Sequence, residues 1–117
     1  MTRLRKFRGN GQQDASFEAL DGGRARVVGS LHFTTVRALL ADGEVAINGG
    51  RAESIDLAGV TGSDSAGLAL MIEWLSVAKA AGRALHYENL PSQLQQLARL
   101  SEVEELLVGG LPAAAAG

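Results

Sequence analysis

Hydroxyl and glycine residues crowd the short segment 61–67, and the serine near its centre, Ser65, could serve three kinds of chemistry. Ser63-Asp64-Ser65-Ala66-Gly67 comes within one residue of G-x-S-x-G, the pattern that places a nucleophilic serine on a sharp strand-to-helix turn. Asp64 and Ser65 are also favoured helix-capping residues, because their side-chain oxygens accept a hydrogen bond from a free amide of the first turn. A sparsely covered helix start could instead receive an anion, a polar loop of a partner or a phosphoryl group on Ser65.

The surroundings of Ser65 argue against a serine hydrolase. Six residues separate Leu57, at the end of a predicted strand, from Asp64, whereas a nucleophile elbow is a sharp turn. No aspartate follows Ser65, and the one histidine downstream of it, His86, falls early in another predicted strand. The glycine-rich motifs of phosphate and dinucleotide binding are missing as well. We therefore predict no catalytic residue and no enzyme activity.

Length and composition describe one ordinary domain. The chain has 117 residues, of which 46% are hydrophobic and 21% are charged, which is sufficient for a core built mainly of aliphatic side chains. It has no cysteine, and His32 and His86 lack the spacing of metal ligands. We therefore predict neither a metal nor a cofactor. No apolar run approaches the ~20 residues needed to cross a bilayer, so no membrane span is expected.

Charge is unevenly distributed along the chain. Residues 1–14 contain four cations, Arg3, Arg5, Lys6 and Arg8, and we predict that this basic segment is flexible; weak attraction to an anionic membrane leaflet is the alternative. Without those four cations, 7 basic and 13 acidic residues remain, a net charge of −6 for the rest of the chain. An acidic body without a basic stripe argues against nucleic-acid binding.

Periodicity and turn residues give the coarse secondary structure. A hairpin is predicted from strands at 16–20 and 24–28 around Asp21-Gly22-Gly23, with a break at Gly29-Ser30. The remaining elements are a helix from 34 that stops at Asp42-Gly43, a strand at 53–57, a loop at 58–63, a helix over 65–81, a strand at 84–88, a helix over 92–100 and a last helical turn within 103–108. Residues 45–51 fit either more helix or a short strand. This order predicts an α/β domain whose small mixed sheet has helices packed on it.

The helix predicted from Ser65 is apolar over more of its circumference than packing on a sheet requires. With successive residues ~100° apart, its apolar arc exceeds roughly 200°, against the ~100° needed by a surface helix. Leu70 and Trp74 lie on one line of this arc. Two interpretations remain open. Either the helix is wedged between the sheet and another helix, or the line with Leu70 and Trp74 meets a partner protein, since Trp is enriched in interface hot spots.

Two segments carry a family resemblance. Ile55-Asp56-Leu57-Ala58-Gly59-Val60, followed by Asp64-Ser65-Ala66-Gly67-Leu68-Ala69-Leu70, resembles the STAS domain family. Leu70-Met71-Ile72-Glu73-Trp74-Leu75 and Asn89-Leu90-Pro91 are similar to the cytoplasmic STAS subunits of the Mla phospholipid-transport ABC system of Gram-negative bacteria. The resemblance implies a STAS domain of about four strands over residues 15–108, between the basic segment 1–14 and a loose tail at 109–117.

The resemblance also implies a function. It predicts a non-catalytic cytoplasmic accessory subunit that binds the ATPase subunit of the transporter, peripheral to the inner membrane, and so supports outer-membrane lipid asymmetry. The functional hydroxyl of the family falls on Ser65. The expected contact residues around it are Thr61, Gly62, Ser63, Asp64, Ala66, Leu70 and Trp74. The alternative is an anti-sigma factor antagonist that is phosphorylated on Ser65, although Ala66 stands where many antagonists carry a second serine.

Overall fold

Four strands form a mixed sheet with helices packed on it in the computed structural model, which describes residues 15–110. The predicted α/β class with about four strands is confirmed. In chain order the elements are β1 Ala15–Ala19, β2 Arg24–Leu31, α1 Val36–Asn48, β3 Ser54–Ser63, α2 Ser65–Ala81, β4 His86–Glu88, α3 Ser92–Leu100 and α4 Glu104–Gly109. The predicted basic segment 1–14 and residues 111–117 of the predicted tail lie outside the described residues.

The strands lie side by side in chain order, β1-β2-β3-β4. Strands β1 and β2 form an antiparallel hairpin, whereas β2 pairs with β3 and β3 with β4 in parallel. In the hairpin turn Gly22 and Gly23 have φ angles of 73° and 78°, which glycine adopts without the steric cost of a Cβ. Parallel neighbours need a crossover, and helices α1 and α2 provide the two crossovers.

The central strands bury one face and expose the other. In β2, Ala25 and Val27 are buried while Arg24 and Arg26 are exposed, and β3 has buried positions such as Ile55 in the same alternation. The buried side chains of both strands join those of α1 and α2 in a single apolar core. The helices therefore cover one face of the sheet, and the other face of the described domain is open to solvent.

Helix α1 continues past the predicted stop at Asp42-Gly43 and ends at Asn48. The ambiguous residues 45–48 are therefore helical. Glycine is unfavourable inside a helix, but Gly43 is buried and a Cβ at this position would overlap the indole ring of Trp74. Gly43 thus marks a close contact between two helices, which one sequence segment alone does not reveal.

Strands β2 and β3 run further than predicted. The break at Gly29-Ser30 and the loop at 58–63 are both wrong, because β2 and β3 stay paired as far as Leu31 and Ser63. Register shifts between Arg26 and Val28 and between Gly29 and Ser30 absorb the irregular spacing. Main-chain pairing holds these ends in the sheet although their side chains lack a clear apolar alternation.

Trp74 belongs to the core. Its side chain has no exposed area, its ring meets Phe17 edge-on at 5.6 Å between centroids, and its Nε1 donates to the carbonyl of Leu40 at 3.3 Å. Leu70 is 3% exposed. Of the two interpretations of α2, the one with the helix wedged between sheet and helix is therefore correct. The expectation that Trp74 presents its side chain to a partner is wrong, because α1 and the sheet already cover it. Leu70 is nearly buried but lines an open groove between α1 and α2, so its contact with a partner stays a prediction.

Candidate functional site

The segment 61–66 lies at the edge of the sheet where the parallel strands β2 and β3 end. Leu31 and Ser63 are paired in register, and the next amide, that of Asp64, donates to the carbonyl of Leu31 at 3.0 Å. Helix α2 begins one residue later, at Ser65. The carboxyl edge of parallel strands is where open α/β sheets commonly bind their ligands. The predicted contact residues Thr61, Gly62, Ser63, Asp64, Ser65 and Ala66 are therefore brought together at this edge.

Gly67 allows α2 to start so close to the sheet. A Cβ at this position would overlap the hydroxyl of Ser63 and lie 2.9 Å from Cβ of Leu31. Since real Cβ atoms are not found at such distances, any side chain here would push the first turn of the helix away from β2. The glycine of the D-S-A-G sequence is thus explained by packing rather than by a phosphate-binding loop.

Asp64, and not Ser65, caps helix α2. The backbone of Asp64 is extended, with φ −114° and ψ −165°, and its Oδ1 accepts a hydrogen bond from the amide of Ala66 at 2.8 Å. Ser65 is the first residue of the helix and is exposed. Its hydroxyl makes no hydrogen bond to any residue that the structure describes. From the sequence, Ser65 could serve either as the helix cap or as a contact for a partner. Its neighbour Asp64 provides the cap. Ser65 itself is exposed at the positive end of the helix dipole.

Hydrogen bonds hold the rest of the segment in place. The hydroxyl of Thr61, an exposed residue, lies 3.4 Å from that of Ser30 in β2. The amide of Ser63 donates to Oε1 of Gln93 at 3.0 Å, and the Ser63 hydroxyl donates to the carbonyl of Asp64. Sequence reasoning missed Gln93, because it comes from α3, 30 positions along the chain. The edge is thus a preformed surface built from four elements, β2, β3, α2 and α3.

A second residue that sequence reasoning missed is Phe33, in the short loop between β2 and α1. Its side chain is 77% exposed. The loop leaves β2 at Leu31, the residue whose carbonyl binds Asp64, and therefore lies at the same edge as Ser65. The signal in the sequence is an aromatic residue between two polar ones, His32 and Thr34, in a chain whose aromatic content is 4%.

An open groove between α1 and α2 continues from this edge. Its volume is about 320 Å³, and its lining residues are Val36, Arg37, Leu40, Ala69, Leu70 and Glu73. Ser65, Ala69 and Glu73 follow one another at four-residue spacing, which places them on one face of α2. The groove is mainly apolar, with Arg37 on the α1 side and Glu73 on the α2 side. It therefore extends the exposed surface around Ser65 along both helices.

The histidine considered for a hydrolase lies far from Ser65. His86 pairs with Ser54, the first residue of β3, whereas Ser65 follows the last one, Ser63. At ~3.3 Å per residue the two ends of this strand are roughly 30 Å apart. In residues 15–110 no group of three or more His, Cys, Asp or Glu side chains is placed to hold a metal ion. No helix in the same range is long and apolar enough to cross a membrane.

Solved structures with this arrangement define the class of domain. Sixteen solved chains match the fold. Among them are the anti-sigma factor antagonist SpoIIAA in its unphosphorylated form, with a TM-score of 0.63 over 80% of this chain and 85% of that one, and the Bacillus cell fate determinant SpoIIAA in the phosphorylated form, with a TM-score of 0.60 over 80% and 88%. Both are 16% identical to this chain, so the likeness concerns the fold: a STAS-type α/β domain.

The sequence assigns the chain to a particular family within that class. The family described as "Mlab, STAS domain" matches residues 18–109, and the chain belongs to it. A comparison with curated proteins found no match. The resemblance seen in the sequence is thus confirmed at the level of the family, and it covers the strands, the helices and the edge that carries Ser65.

Proposed function

We propose that this protein is the non-catalytic cytoplasmic accessory subunit of a phospholipid ABC transporter of a Gram-negative bacterium. In this proposal it binds the ATPase subunit, is held at the inner membrane through the complex, and supports transport that maintains outer-membrane lipid asymmetry. Membership of the Mlab STAS family supports it, together with the similarity of Leu70-Met71-Ile72-Glu73-Trp74-Leu75 and Asn89-Leu90-Pro91 to such subunits.

The observation that carries the proposal is the exposed Ser65, whose hydroxyl has no hydrogen-bond partner within residues 15–110, on a preformed edge. Asp64 completes the cap, so Ser65 is not needed for helix formation. Gln93 and Leu31 fix the segment before the helix. A surface already ordered in the free protein loses little conformational entropy on binding. A polar loop of the ATPase would meet Ser65 and Thr61, and apolar side chains of the same subunit would enter the groove between α1 and α2.

Binding to the ATPase subunit tests this proposal with one substitution and a matched control. Ser65→Asp places a carboxylate at the contact, and we expect the dissociation constant to rise at least about tenfold, a change of ~1.4 kcal/mol. A negative charge at a helix N-terminus favours the fold, so weaker binding would not reflect unfolding. Ser76→Asp makes the same change on an exposed serine of the same helix, 11 residues further along, and should bind normally.

The measurement is titration of the purified full chain with the purified ATPase subunit, followed by an outer-membrane permeability assay in cells that carry each variant. Equal affinities for the wild type and Ser65→Asp, with normal permeability, would contradict a contact at Ser65. A wild-type chain that does not bind the ATPase at all would contradict the transporter subunit itself.

A second candidate function is an anti-sigma factor antagonist switched by phosphorylation of Ser65. The exposure of this serine favours it, as do the matching structures, which are described as an anti-sigma factor antagonist and as a phosphorylated form. The genes beside this one separate the two candidates: an ATPase and a permease support the first, and a kinase-like anti-sigma factor supports the second. Incubation with that kinase, followed by mass spectrometry of the peptide that contains Ser65, tests the second directly.

A further inference from the structure

We propose that Phe33 is the apolar anchor of the edge around Ser65, and that it inserts into an apolar pocket on the ATPase subunit that contacts Ser65. The inference rests on the proposed function and adds a residue whose apolar ring contributes to the affinity. Phe33 is not part of the D-S-A-G sequence. It lies before helix α1, whereas Ser65 lies at the start of helix α2. The structure brings the two residues to one edge.

Within residues 15–110, Phe33 is the one aromatic residue whose side chain is mostly exposed. The sequence has three Phe, one Tyr and one Trp. Trp74 is fully buried, Phe17 and Tyr87 pack against the core, and Phe33 is 77% exposed. A phenylalanine ring in water gains more from burial than most other side chains, because of its large apolar area. An unburied ring in a chain with few aromatics is therefore available to a partner rather than required by the fold.

Hydrogen bonds on both sides of Phe33 hold the loop that carries it. The hydroxyl of Thr35 accepts from the amide of His32 at 3.0 Å and lies within hydrogen-bonding distance of the carbonyl of Ser30, at 2.9 Å. The amides of Thr35 and Val36 both donate to the carbonyl of His32, at 2.8 and 3.0 Å. These bonds enclose Phe33 on both sides along the chain. An aromatic ring on a fixed loop costs little entropy to immobilise, which is a property of interface hot spots.

Phe33 and Ser65 belong to one surface. Phe33 is two residues beyond Leu31, and Ser65 is two residues beyond Ser63, the partner of Leu31 in the parallel pair. Polar residues flank Phe33 along the chain: His32 precedes it and Thr34 follows it, and their side chains are hydrogen-bonded to each other at 2.6 Å. An apolar residue with a polar rim is the common anatomy of a protein interface. One partner that contacts Ser65 would therefore meet Phe33 as well.

Charge favours a protein partner over a lipid surface. Among the described residues that form this edge and the adjoining groove, Arg37 is the cation, while Asp64 and Glu73 are acidic. Aromatic residues that enter anionic membranes are usually accompanied by several cations, which the lipid headgroups attract. The acidic groups of this edge would be repelled by anionic lipid headgroups. They are compatible with a protein pocket that has a polar rim.

The test is titration of the purified full chain and its variants with the purified ATPase subunit. We expect Phe33→Ala to raise the dissociation constant about 30-fold or more, with the same melting temperature as the wild type because the ring is exposed. Val45→Ala is the matched control: Val45 is 72% exposed and lies in α1, about nine residues or ~13 Å beyond its start. This variant should bind like the wild type.

The outcomes separate the inference from the proposed function. If Ser65→Asp weakens binding while Phe33→Ala does not, the contact at Ser65 stands and the anchor is refuted. If the wild type does not bind the ATPase, the proposed function fails and the inference fails with it. Flotation with vesicles of phosphatidylethanolamine and phosphatidylglycerol gives the third outcome: wild-type binding that is lost in Phe33→Ala would show a membrane anchor and overturn the protein pocket.

Discussion

The indole ring of Trp74 lies directly on the backbone of helix α1 at Gly43, and its N–H donates to the carbonyl of Leu40 at 3.3 Å. No side chain fits between ring and backbone at this point. One contact thus explains two features of the sequence: a glycine inside a helix, and a tryptophan on a helix face that would otherwise be available to a partner. It joins α1 to α2, the two helices that flank the groove beside Ser65.

Gly43→Ala should destabilise the protein, although alanine is the better helix former by about 1 kcal/mol. The added methyl group overlaps the indole ring, and overpacking of a core typically costs about 1–3 kcal/mol. Urea unfolding monitored by far-UV circular dichroism measures the change, and this signal does not depend on Trp74, the one tryptophan. In a Trp74→Phe background the smaller ring leaves room, so the same substitution should cost less. Higher stability of Gly43→Ala in the wild-type background would contradict this packing.

Asp64→Ala should lower the free energy of unfolding by about 1 kcal/mol, because the amide of Ala66 loses its cap. Ser65→Ala should change it by less than about 0.5 kcal/mol, since the Ser65 side chain is exposed and makes no hydrogen bond within residues 15–110. Asp64→Asn keeps an accepting oxygen and serves as the control. Thermal unfolding of the three variants gives the comparison, and equal losses at positions 64 and 65 would mean that the two residues share the cap.

Tyr87, the one tyrosine, should not ionise in its ordinary range. Burial raises the pKa of its phenol well above 10.0, and its hydroxyl donates to the carbonyl of Met71 in α2 at 2.6 Å. Absorbance at alkaline pH should show no phenolate until the protein unfolds. The raised pKa stabilises the fold fully below the unfolded value near 10, and this contribution decreases as pH rises above it. Tyr87→Phe should remove this loss of stability at alkaline pH. A phenolate signal from the folded protein near pH 10 would contradict the raised pKa of Tyr87.

Asp56 should make the fold sensitive to acid. Its carboxylate accepts from Nδ2 of Asn89 at 3.0 Å and from the amide of Ala58 at 2.8 Å, and these bonds lower the pKa of Asp56 below 3.8. A lowered pKa contributes stability above the unfolded value, and this contribution is lost as pH falls through the folded one. Between pH 5 and pH 2 the free energy of unfolding should therefore fall less in Asp56→Asn than in the wild type.

Asn89 provides the control for that measurement. Its φ of 57° lies in the left-handed region, which Asn tolerates and glycine adopts freely. Asn89→Gly keeps the backbone and removes the side-chain hydrogen bond to Asp56, so part of the acid sensitivity should disappear with the turn intact. Identical acid curves for the wild type, Asp56→Asn and Asn89→Gly would contradict a role for this pair.

Local patterns in the sequence were sufficient where a segment's own side chains set its structure. Helix α2 begins at Ser65 and ends before Gly82, whose φ of 69° closes it, because a capping aspartate and a left-handed glycine act within a few residues. Helix α3 has the predicted bounds, 92–100. The hairpin turn at Asp21-Gly22-Gly23 is confirmed for the same reason.

Local patterns failed where a distant residue set the structure. Gly43 looks like a helix stop until Trp74 is placed on it. The loop predicted at 58–63 is a strand, because β2 supplies the backbone partners that its side chains do not reveal. The sequence predicts no contact for Phe33, because nothing in its own segment shows that it shares an edge with Ser65.

The sequence by itself determined the STAS family and the α/β class, because these depend on short motifs and on periodicity. Only the tertiary structure decided which residues are available to a partner. It buried Trp74 against α1, gave the cap to Asp64, left Ser65 exposed and placed Phe33 at the same edge of the sheet. Exposure depends on which elements pack together, and that is a property of the whole fold rather than of any one segment.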